Sequence, residues 1–268
     1  MEQTHQNSSV LFEQYRSLGY YSSDLPLSVV KSDQDILIAS SVGDHAFYVY
    51  DSAHLNLAYM SKYIAEKITC IQATPDGFVY TSLQAEEEGN SPIQTKSPVI
   101  ACWKKMHKVL EFAGHTQPII KFVCFGDFVF SLAEQGEFIV FNRQKATTVK
   151  KINFKTHFDD FLHPNTYLNK LVFSGGAKME LWNIMTETQI FDFTPSFEGE
   201  KQAAITCIHQ SPVVDIIAVG FENGSIVLLN MLYNEVVLKF SQTQDGGKIK
   251  RMSFSSDLSL GVSLLASI

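Results

Sequence analysis

The sequence lacks several features that mark membrane, secreted and disulfide-stapled proteins. Its 268 residues contain no apolar run near the roughly eighteen residues that a membrane helix needs, and its polar start lacks the cationic and apolar regions of a secretion signal. Cysteine is scarce and widely spaced: Cys70, Cys102, Cys124 and Cys207. Because they lie mostly in apolar runs at no zinc-binding spacing, we expect buried free thiols. These absences favour a cytosolic or nuclear protein.

Positive charge is also in deficit. The net charge is −7 and the pI is about 5.6, which excludes a strongly basic nucleic-acid-binding protein of the general kind. Any contact with RNA is therefore expected to be local, through basic loops. Three clusters could supply it: Lys104, Lys105 and Lys108; Lys150, Lys151 and Lys155; and Lys248, Lys250 and Arg251. The alternative for each cluster is a solvated strand end or loop.

Catalytic motifs are missing as well. No Gly-x-Ser-x-Gly nucleophile elbow and no long helical period is present, which excludes an α/β hydrolase. The segment 246–249, Gly-Gly-Lys-Ile, lacks the first glycine and the Ser or Thr of a phosphate-binding loop, so we interpret it as a turn between repeats.

One cluster of possible metal ligands remains. His157, Asp159, Asp160 and His163 could bind a metal if a loop folded them together. However, Phe158, Phe161 and Leu162 alternate with them as in a half-buried strand, which explains the pattern more simply. We predict no catalytic, cofactor-binding or metal-binding residue, no cofactor, no membrane contact and no small-molecule substrate.

What the sequence does contain is a repeat of short apolar runs separated by turn residues. The first run of each unit starts near residues 26, 67, 118, 158, 203 and 248. A period of about 40 to 45 residues with four short strands per unit is typical of a WD-type β-propeller. The predicted fold is therefore all-β, with five blades plus a partial sixth over residues 26–268, and with a partly disordered lead-in over residues 1–25.

The third strand of each unit carries the clearest repetition. These strands are predicted to end at Asp51, Trp103, Asn142, Asn183 and Asn230, where WD units carry Trp-Asp. Gly136 and Gly224 each lie five residues before the motif aromatic or its replacement, and there a tight hairpin between the second and third strands needs a positive φ.

Two local departures from the repeat lead to specific expectations. An acidic, breaker-rich insertion over residues 84–97 lengthens the second unit and is expected to form a mobile hairpin loop. Gly114-His115 matches the Gly-His of WD units, whose imidazole bonds to an Asp, a Ser or Thr and a Trp. Ser131 could serve, but Gln135 stands where the Asp belongs and Phe141 replaces the Trp, so we predict an incomplete network around a structural His115.

The stretch from Leu162 to Asn183 carries a more specific similarity. Its His-Pro-Asn-Thr-Tyr-Leu-Asn-Lys connection, followed by a blade ending in Leu-Trp-Asn, resembles a blade of the tandem-propeller WD-repeat subunits of the UtpB subcomplex, a component of the small-subunit processome. Residues 11–21, 211–224 and 240–254 resemble the family's other segments in register. The resembling proteins continue into a second propeller and a helical region, so the 268 residues are expected to be the N-terminal portion of a larger, tandem propeller, with an incomplete ring.

The resemblance implies a non-enzymatic scaffold of the nucleus and nucleolus that supports pre-ribosomal RNA processing and small-subunit assembly. The implied partners are other WD-repeat UtpB subunits and processome proteins, with pre-ribosomal RNA or the U-three small nucleolar RNA met through the basic loops. The alternative is a cytosolic WD-repeat adaptor of a ubiquitin ligase or a trafficking complex. A propeller enzyme is disfavoured because inner strands such as 68–71, 119–122 and 205–208 offer no carboxylate or histidine cluster.

Overall fold

The architecture was analysed on a computed structural model, which describes residues 25, 27–31, 36–51, 53–85, 96–194, 196–197, 203–241, 247–254 and 265–267. The predicted lead-in, apart from Leu25, and most of the 84–97 insertion lie outside these described residues. Regular structure is almost entirely β-strand, as predicted. Among the described residues, no helix combines the length and the apolar character needed to cross a membrane.

Twenty consecutive strands form five antiparallel sheets of four strands each, which we call blades 1 to 5. The first three blades contain β1–β4 (Ser28–Lys31, Ile36–Val42, Ala46–Asp51, Leu57–Met60), β5–β8 (Lys67–Ala73, Phe78–Gln84, Val99–Lys104, His107–Ala113) and β9–β12 (Ile119–Phe125, Phe128–Ala133, Glu137–Asn142, Thr148–Asn153). In every blade each strand pairs with the next one along the chain, so each blade is a simple meander.

The remaining blades follow the same order. They contain β13–β16 (Asp160–Leu162, Lys170–Gly175, Lys178–Asn183, Thr188–Asp192) and β17–β20 (Ile205–Gln210, Ile216–Phe221, Ser225–Asn230, Glu235–Ser241), and they are followed by a two-stranded sheet, β21 and β22 (Met252–Phe254, Leu265–Ser267). The five-bladed propeller is thus confirmed. The partial sixth blade stays a prediction, for which β21 and β22 are the described part.

Burial changes from strand to strand within a blade in the way a propeller requires. The second and third strands, such as β10 and β11, are buried on both faces, and their sequences are accordingly almost continuous apolar runs. The fourth strands, such as β16 and β20, are exposed along nearly their whole length. First strands lie next to one another: β1 contacts β5, β5 contacts β9, β9 contacts β13, β13 contacts β17, and β17 contacts β21.

The repeated Asp or Asn at the end of the third strand has a local structural role. β3, β11, β15 and β19 end on Asp51, Asn142, Asn183 and Asn230, as predicted, whereas β7 ends one residue later than predicted. Each of these four side chains accepts hydrogen bonds from backbone N–H groups of the turn that follows: Asp51 from His54 and Asn56, Asn142 from Gln144 and Lys145, Asn183 from Met185 and Thr186, and Asn230 from Leu232 and Tyr233. Such Asx turns satisfy groups that the sheet leaves unpaired. Gly136 and Gly224 have φ values of 78° and 79°, as expected.

Neighbouring blades are joined by aromatic packing and by side-chain hydrogen bonds between first strands. Phe138 of blade 3 meets Phe173 of blade 4 edge to face, with ring centroids 5.2 Å apart. Closer to the centre, side-chain oxygens accept backbone N–H groups of the next first strand: Ser28 from Ala73, Gln72 from Cys124, and Asp160 from Ile208. These bonds fix how far one blade can slide along the next.

Gly175 in blade 4 packs tightly against the backbone of residues 157 and 158, which connect blade 3 to blade 4. A Cβ atom on Gly175 would overlap the carbonyl oxygen of His157 and lie 2.8 Å from the Cα of Phe158, both of which are backbone atoms. Gly175→Ala should therefore lower the free energy of unfolding by about 3 kcal/mol or more, as for severe overpacking.

The adjacent Gly176 is the matched control, because a Cβ there meets nothing within 4 Å and only its φ of 56° disfavours a side chain. Gly176→Ala should cost about 1 kcal/mol. Urea unfolding of both variants measures the difference, and equal losses would contradict the packing described for blade 4.

Candidate functional site

The first strands bring charged groups to the centre of the propeller, but these groups are engaged with one another. Lys121 of β9 forms an ion pair with one carboxylate oxygen of Asp160 of β13, and the backbone N–H of Phe161 donates to the same oxygen. The other oxygen of Asp160 accepts the N–H of Ile208. Because both oxygens have partners, Asp160 serves to join three blades and is poorly placed to act as a general acid or base.

The four cysteines are free, as predicted. Cys102 is buried and the other three are half-buried. Burial raises the pKa of all four thiols, that of Cys70 to about 11. The thiols consequently stay protonated at neutral pH, and a protonated thiol is a poor nucleophile and a poor metal ligand.

The prediction of an incomplete network around His115 is wrong for the acid, which a different residue supplies, and right for the Trp, which Phe141 replaces. Glu137, the first residue of β11, lies with one carboxylate oxygen 2.9 Å from Nδ1 of His115, and Nε2 lies 2.8 Å from the hydroxyl of Ser131. The same oxygen of Glu137 accepts the backbone N–H of Thr116, and its other oxygen pairs with Lys151. Phe141 occupies the position of the motif Trp, as predicted, and its ring lies edge-on to the imidazole with ring centroids 6.1 Å apart.

The protonation states of this network follow from its contacts. Burial alone would raise the pKa of Glu137. Hydrogen bonds from Lys151, Thr116 and His115 outweigh burial and lower this pKa to about 2. Burial lowers the pKa of His115, so its ring is neutral. A carboxylate only accepts, so Nδ1 donates to Glu137 and Nε2 accepts from Ser131. Although this Ser-His-Glu order matches that of a catalytic triad, all three side chains are buried, and the network is structural as expected for His115.

The possible metal ligands do not converge. His157 pairs with Asp159 at 2.9 Å, whereas Asp160 points to Lys121 and Ile208. His163 is buried and stacked on Phe125. Within the described ranges, no group of three or more His, Cys, Asp or Glu side chains is arranged to hold a metal ion.

Several residues of the predicted basic clusters are committed to partners within the chain. Lys108 pairs with Glu111, Lys150 with Glu187, and Lys151 with Glu137. Lys104 lies over the ring of Phe78, 5.6 Å from its centroid. Lys105, Lys155, Lys248, Lys250 and Arg251 are exposed. The basic loops therefore carry less available positive charge than the sequence indicates.

The sequence did not predict a network of hydrogen bonds from Arg143 that joins blades 2 and 3. The guanidinium of Arg143 donates to the Tyr80 hydroxyl at 2.8 Å, to the Thr74 hydroxyl at 3.0 Å, and to both carboxylate oxygens of Asp76. Arg143 directly follows the Asx residue Asn142, so a turn of one blade is bound to a turn of the preceding blade. No local pattern in the sequence points to this contact, because its partners lie more than 60 residues away.

The diagnostic stretch from Leu162 to Asn183 forms the end of β13, a loop over residues 163–169, and the strands β14 and β15. His163 lies in the loop, as predicted. Trp182 is half-buried: its ring packs on Phe154 with centroids 5.0 Å apart, and its indole N–H donates to Glu180. It is thus a structural residue at the edge of the core rather than a fully buried one.

Comparison with known sequences decides the family. The sequence profile described as the WDR36/Utp21 first beta-propeller matches residues 38–268. The chain belongs to this family. Family members include human WD repeat-containing protein 36, which is 28% identical over 93% of the chain and 26% of its own length.

Two fungal relatives share one name and match nearly the whole chain. The U3 small nucleolar RNA-associated protein 21 homolog of Schizosaccharomyces pombe is 26% identical over 97% of the chain, and U3 small nucleolar RNA-associated protein 21 of Saccharomyces cerevisiae is 23% identical over 96%. The chain spans about a quarter of the length of these curated relatives.

The fold alone is also found in a solved structure. The computationally designed Ika8 protein, solved by crystallography, superposes with a TM-score of 0.61 over 90% of this chain and 67% of its own, at 15% identity. At this identity the likeness concerns chain topology and carries no functional information.

Glu137 provides a test of the buried network. Glu137→Gln removes the negative charge that Lys151 neutralises and to which the neutral ring of His115 donates, and should lower the free energy of unfolding at pH 7 by about 1–3 kcal/mol, as for other broken hydrogen bonds to buried charged groups. Glu134→Gln is the control, because Glu134 is exposed, and it should change stability by less than about 0.5 kcal/mol. Chemical denaturation gives both values, and a Glu137→Gln variant as stable as the control would contradict the network.

The stability difference between the wild type and Glu137→Gln should depend on pH in a definite direction. The pKa of Glu137 is about 2 in the folded chain and near 4.5 when exposed, so its ionisation stabilises the fold above about pH 4.5, and this contribution is lost as the pH falls towards 2. The stability difference between the wild type and Glu137→Gln should shrink over that interval. Denaturation curves at several pH values measure it, and a constant difference would mean that the pKa of Glu137 is not lowered.

Proposed function

We propose that the chain is part of a non-enzymatic scaffold in the nucleolar small-subunit processome, where it supports pre-ribosomal RNA processing and small-subunit assembly. The observation that carries the proposal is the family match over residues 38–268, because it covers blades 2 to 5 and most of blade 1, and because two relatives are named as U3 small nucleolar RNA-associated proteins. A nuclear and nucleolar location is part of the same proposal.

The arrangement of the polar side chains supports a scaffold rather than an enzyme. The central Asp160, the buried Glu137 and the thiols are either fully hydrogen-bonded or held protonated. A propeller of this kind offers a rigid disc with loops on two faces and a rim of exposed strands, to which neighbours can bind without any bond being made or broken.

The proposed partners are protein subunits of the UtpB subcomplex, WD-repeat proteins among them, and other processome proteins. Contact with pre-ribosomal RNA or the U3 small nucleolar RNA is proposed only at the exposed lysines of the basic loops, such as Lys105 and Lys155, because the neighbouring lysines have acidic partners. No small-molecule substrate, cofactor or membrane is part of the proposal.

The proposal predicts where the full-length protein is located in cells and which proteins and RNAs it binds. A tagged full-length protein should localise to the nucleolus and co-purify with UtpB subunits, U3 small nucleolar RNA and small-subunit precursor RNA. Its depletion should lower the mature small-subunit RNA and leave the large-subunit RNA comparatively unaffected. Affinity purification with mass spectrometry, and RNA blotting after depletion, provide the measurements.

A cytoplasmic tagged protein that brings down ubiquitin-ligase or trafficking subunits, together with unchanged small-subunit RNA after depletion, would reject the proposal. An unrelated nucleolar protein carrying the same tag controls for nonspecific recovery of abundant ribosomal precursors.

A further inference from the structure

Three neighbouring loops on one face of the propeller expose apolar side chains. They join the first and second strands of blades 3, 4 and 5, and they cover residues 125–128, 163–169 and 211–215. We call them together the loop platform. Its most exposed apolar side chains are Leu168 at 82%, Val214 at 58%, Val213 at 49% and Phe125 at 40%. Isolated exposed apolar residues are ordinary, but several on adjoining loops are typical of a binding surface.

Direct contacts join the three loops. The ring of Phe125 in the first loop stacks on that of His163 in the second, with centroids 3.9 Å apart. His163 lies 3.4 Å, through Nε2, from the carbonyl oxygen of Leu168. The hydroxyl of Thr166 then donates to Asp215 of the third loop at 3.2 Å. The apolar side chains therefore belong to one continuous surface.

Buried side chains and backbone hydrogen bonds of the blades hold the loop platform in place. His163 is buried, and burial lowers its pKa, so a neutral ring supports Phe125 at physiological pH. The backbone oxygen of Asp215 accepts the N–H of Met231 at 2.7 Å, which ties the third loop to the next turn of blade 5. Because these loops are already ordered by such contacts, a ligand that binds them has a reduced entropy cost to overcome.

The charges on the loop platform indicate the class of ligand. Asp127 and Asp215 are its acidic side chains, and the three loops carry no lysine or arginine. Two cations adjoin the loops: Lys170 of β14 lies over the ring of Tyr167, 5.1 Å from its centroid, and Arg143 donates its backbone N–H to the carbonyl oxygen of Asp127 while its guanidinium pairs with Asp76. Nucleic-acid backbones require positive charge, so two carboxylates and a net charge of −7 disfavour RNA at this face. Apolar anchors flanked by carboxylates suit a protein segment that carries apolar side chains next to lysine or arginine.

We infer that the loop platform is a protein-docking surface, with Leu168, Val213 and Val214 as apolar contacts and Asp127 as a charged rim contact for a basic-flanked apolar segment of a partner protein. This inference rests on the proposed function and deepens it, because it assigns the face through which the scaffold meets one of its protein partners. It also gives a role to the loop over residues 163–169, which lies in the stretch that carried the sequence resemblance.

The first experiment places a photoreactive amino acid at Leu168 of the tagged full-length protein in cells. Leu57, which is 48% exposed on the outer strand β4 of blade 1, provides the control position, because blade 1 carries none of the platform loops. After irradiation, mass spectrometry should map the Leu168 crosslink to one protein segment that contains apolar residues with a lysine or arginine within a few positions. Leu57 should not give that crosslink. A crosslink from Leu168 to RNA, or no crosslink at all, would overturn the inference.

The second experiment measures the energetic contribution of the contact. Leu168→Glu and Val214→Glu should each reduce recovery of the crosslinked protein by about tenfold, as expected when a central interface contact is lost, whereas Leu57→Glu in blade 1 should leave recovery within about twofold. Both platform side chains are largely exposed, so the urea-unfolding midpoints should match that of the wild type. Unchanged recovery with Leu168→Glu and Val214→Glu would overturn the inference.

A charge variant tests the chemistry of the partner. Asp127→Lys should reduce recovery about two- to fivefold more than Asp127→Asn, because it repels a basic flank, and the gap should narrow at high salt. Tighter binding by Asp127→Lys would contradict a basic partner. Failure of the proposed function is separable from failure of this inference: in the former the wild-type protein itself recovers no processome proteins, and in the latter the wild type recovers them and the platform variants recover them equally well.

Discussion

Packing of each blade against its neighbours is the interaction on which the rest of this structure depends. The second and third strands are apolar on both faces, so an isolated blade would leave two apolar surfaces in water. Side chains such as Phe138 and Phe173 close the gap between blades, and hydrogen bonds such as that from Ile208 to Asp160 set their offset near the centre. Once the inner and middle strands are fixed in this way, each outer strand is placed by its pairing with the third strand of its own blade.

The same requirement accounts for the polar residues of the interior. A side-chain oxygen in the interior of a propeller can be buried only if it is hydrogen-bonded, and here the partners are side chains and backbone groups of neighbouring strands and connections. Asp160 and Glu137 meet this requirement with partners from other strands. Groups that resemble catalytic residues in the sequence are thus used to join elements, and the chemistry that remains available lies on the loops.

The parts of the fold that follow from local rules could be predicted from the sequence. The third-strand ends at Asn142, Asn183 and Asn230 were predictable because an Asx side chain bonds to a turn only two or three residues away. The acid beside His115 was not predictable, because Glu137 reaches it from another strand, 22 residues away, and the expected position was Gln135. The loop platform was missed for the same physical reason, since the stacking of Phe125 on His163 depends on how two blades meet.

The loop over residues 163–169 shows how one segment can meet structural and binding requirements together. His163 faces inward and supports Phe125, while Leu168, five residues later, is left almost fully in water. A leucine in that position contributes almost nothing to burial in this chain, so packing within the propeller does not account for it. Its neighbours on the platform are apolar, neutral polar or acidic, and contacts such as that of Thr166 with Asp215 join the loops that carry them. The segment that carried the sequence resemblance thus also exposes a leucine that packing does not explain, and contact with another protein is the role we infer for it.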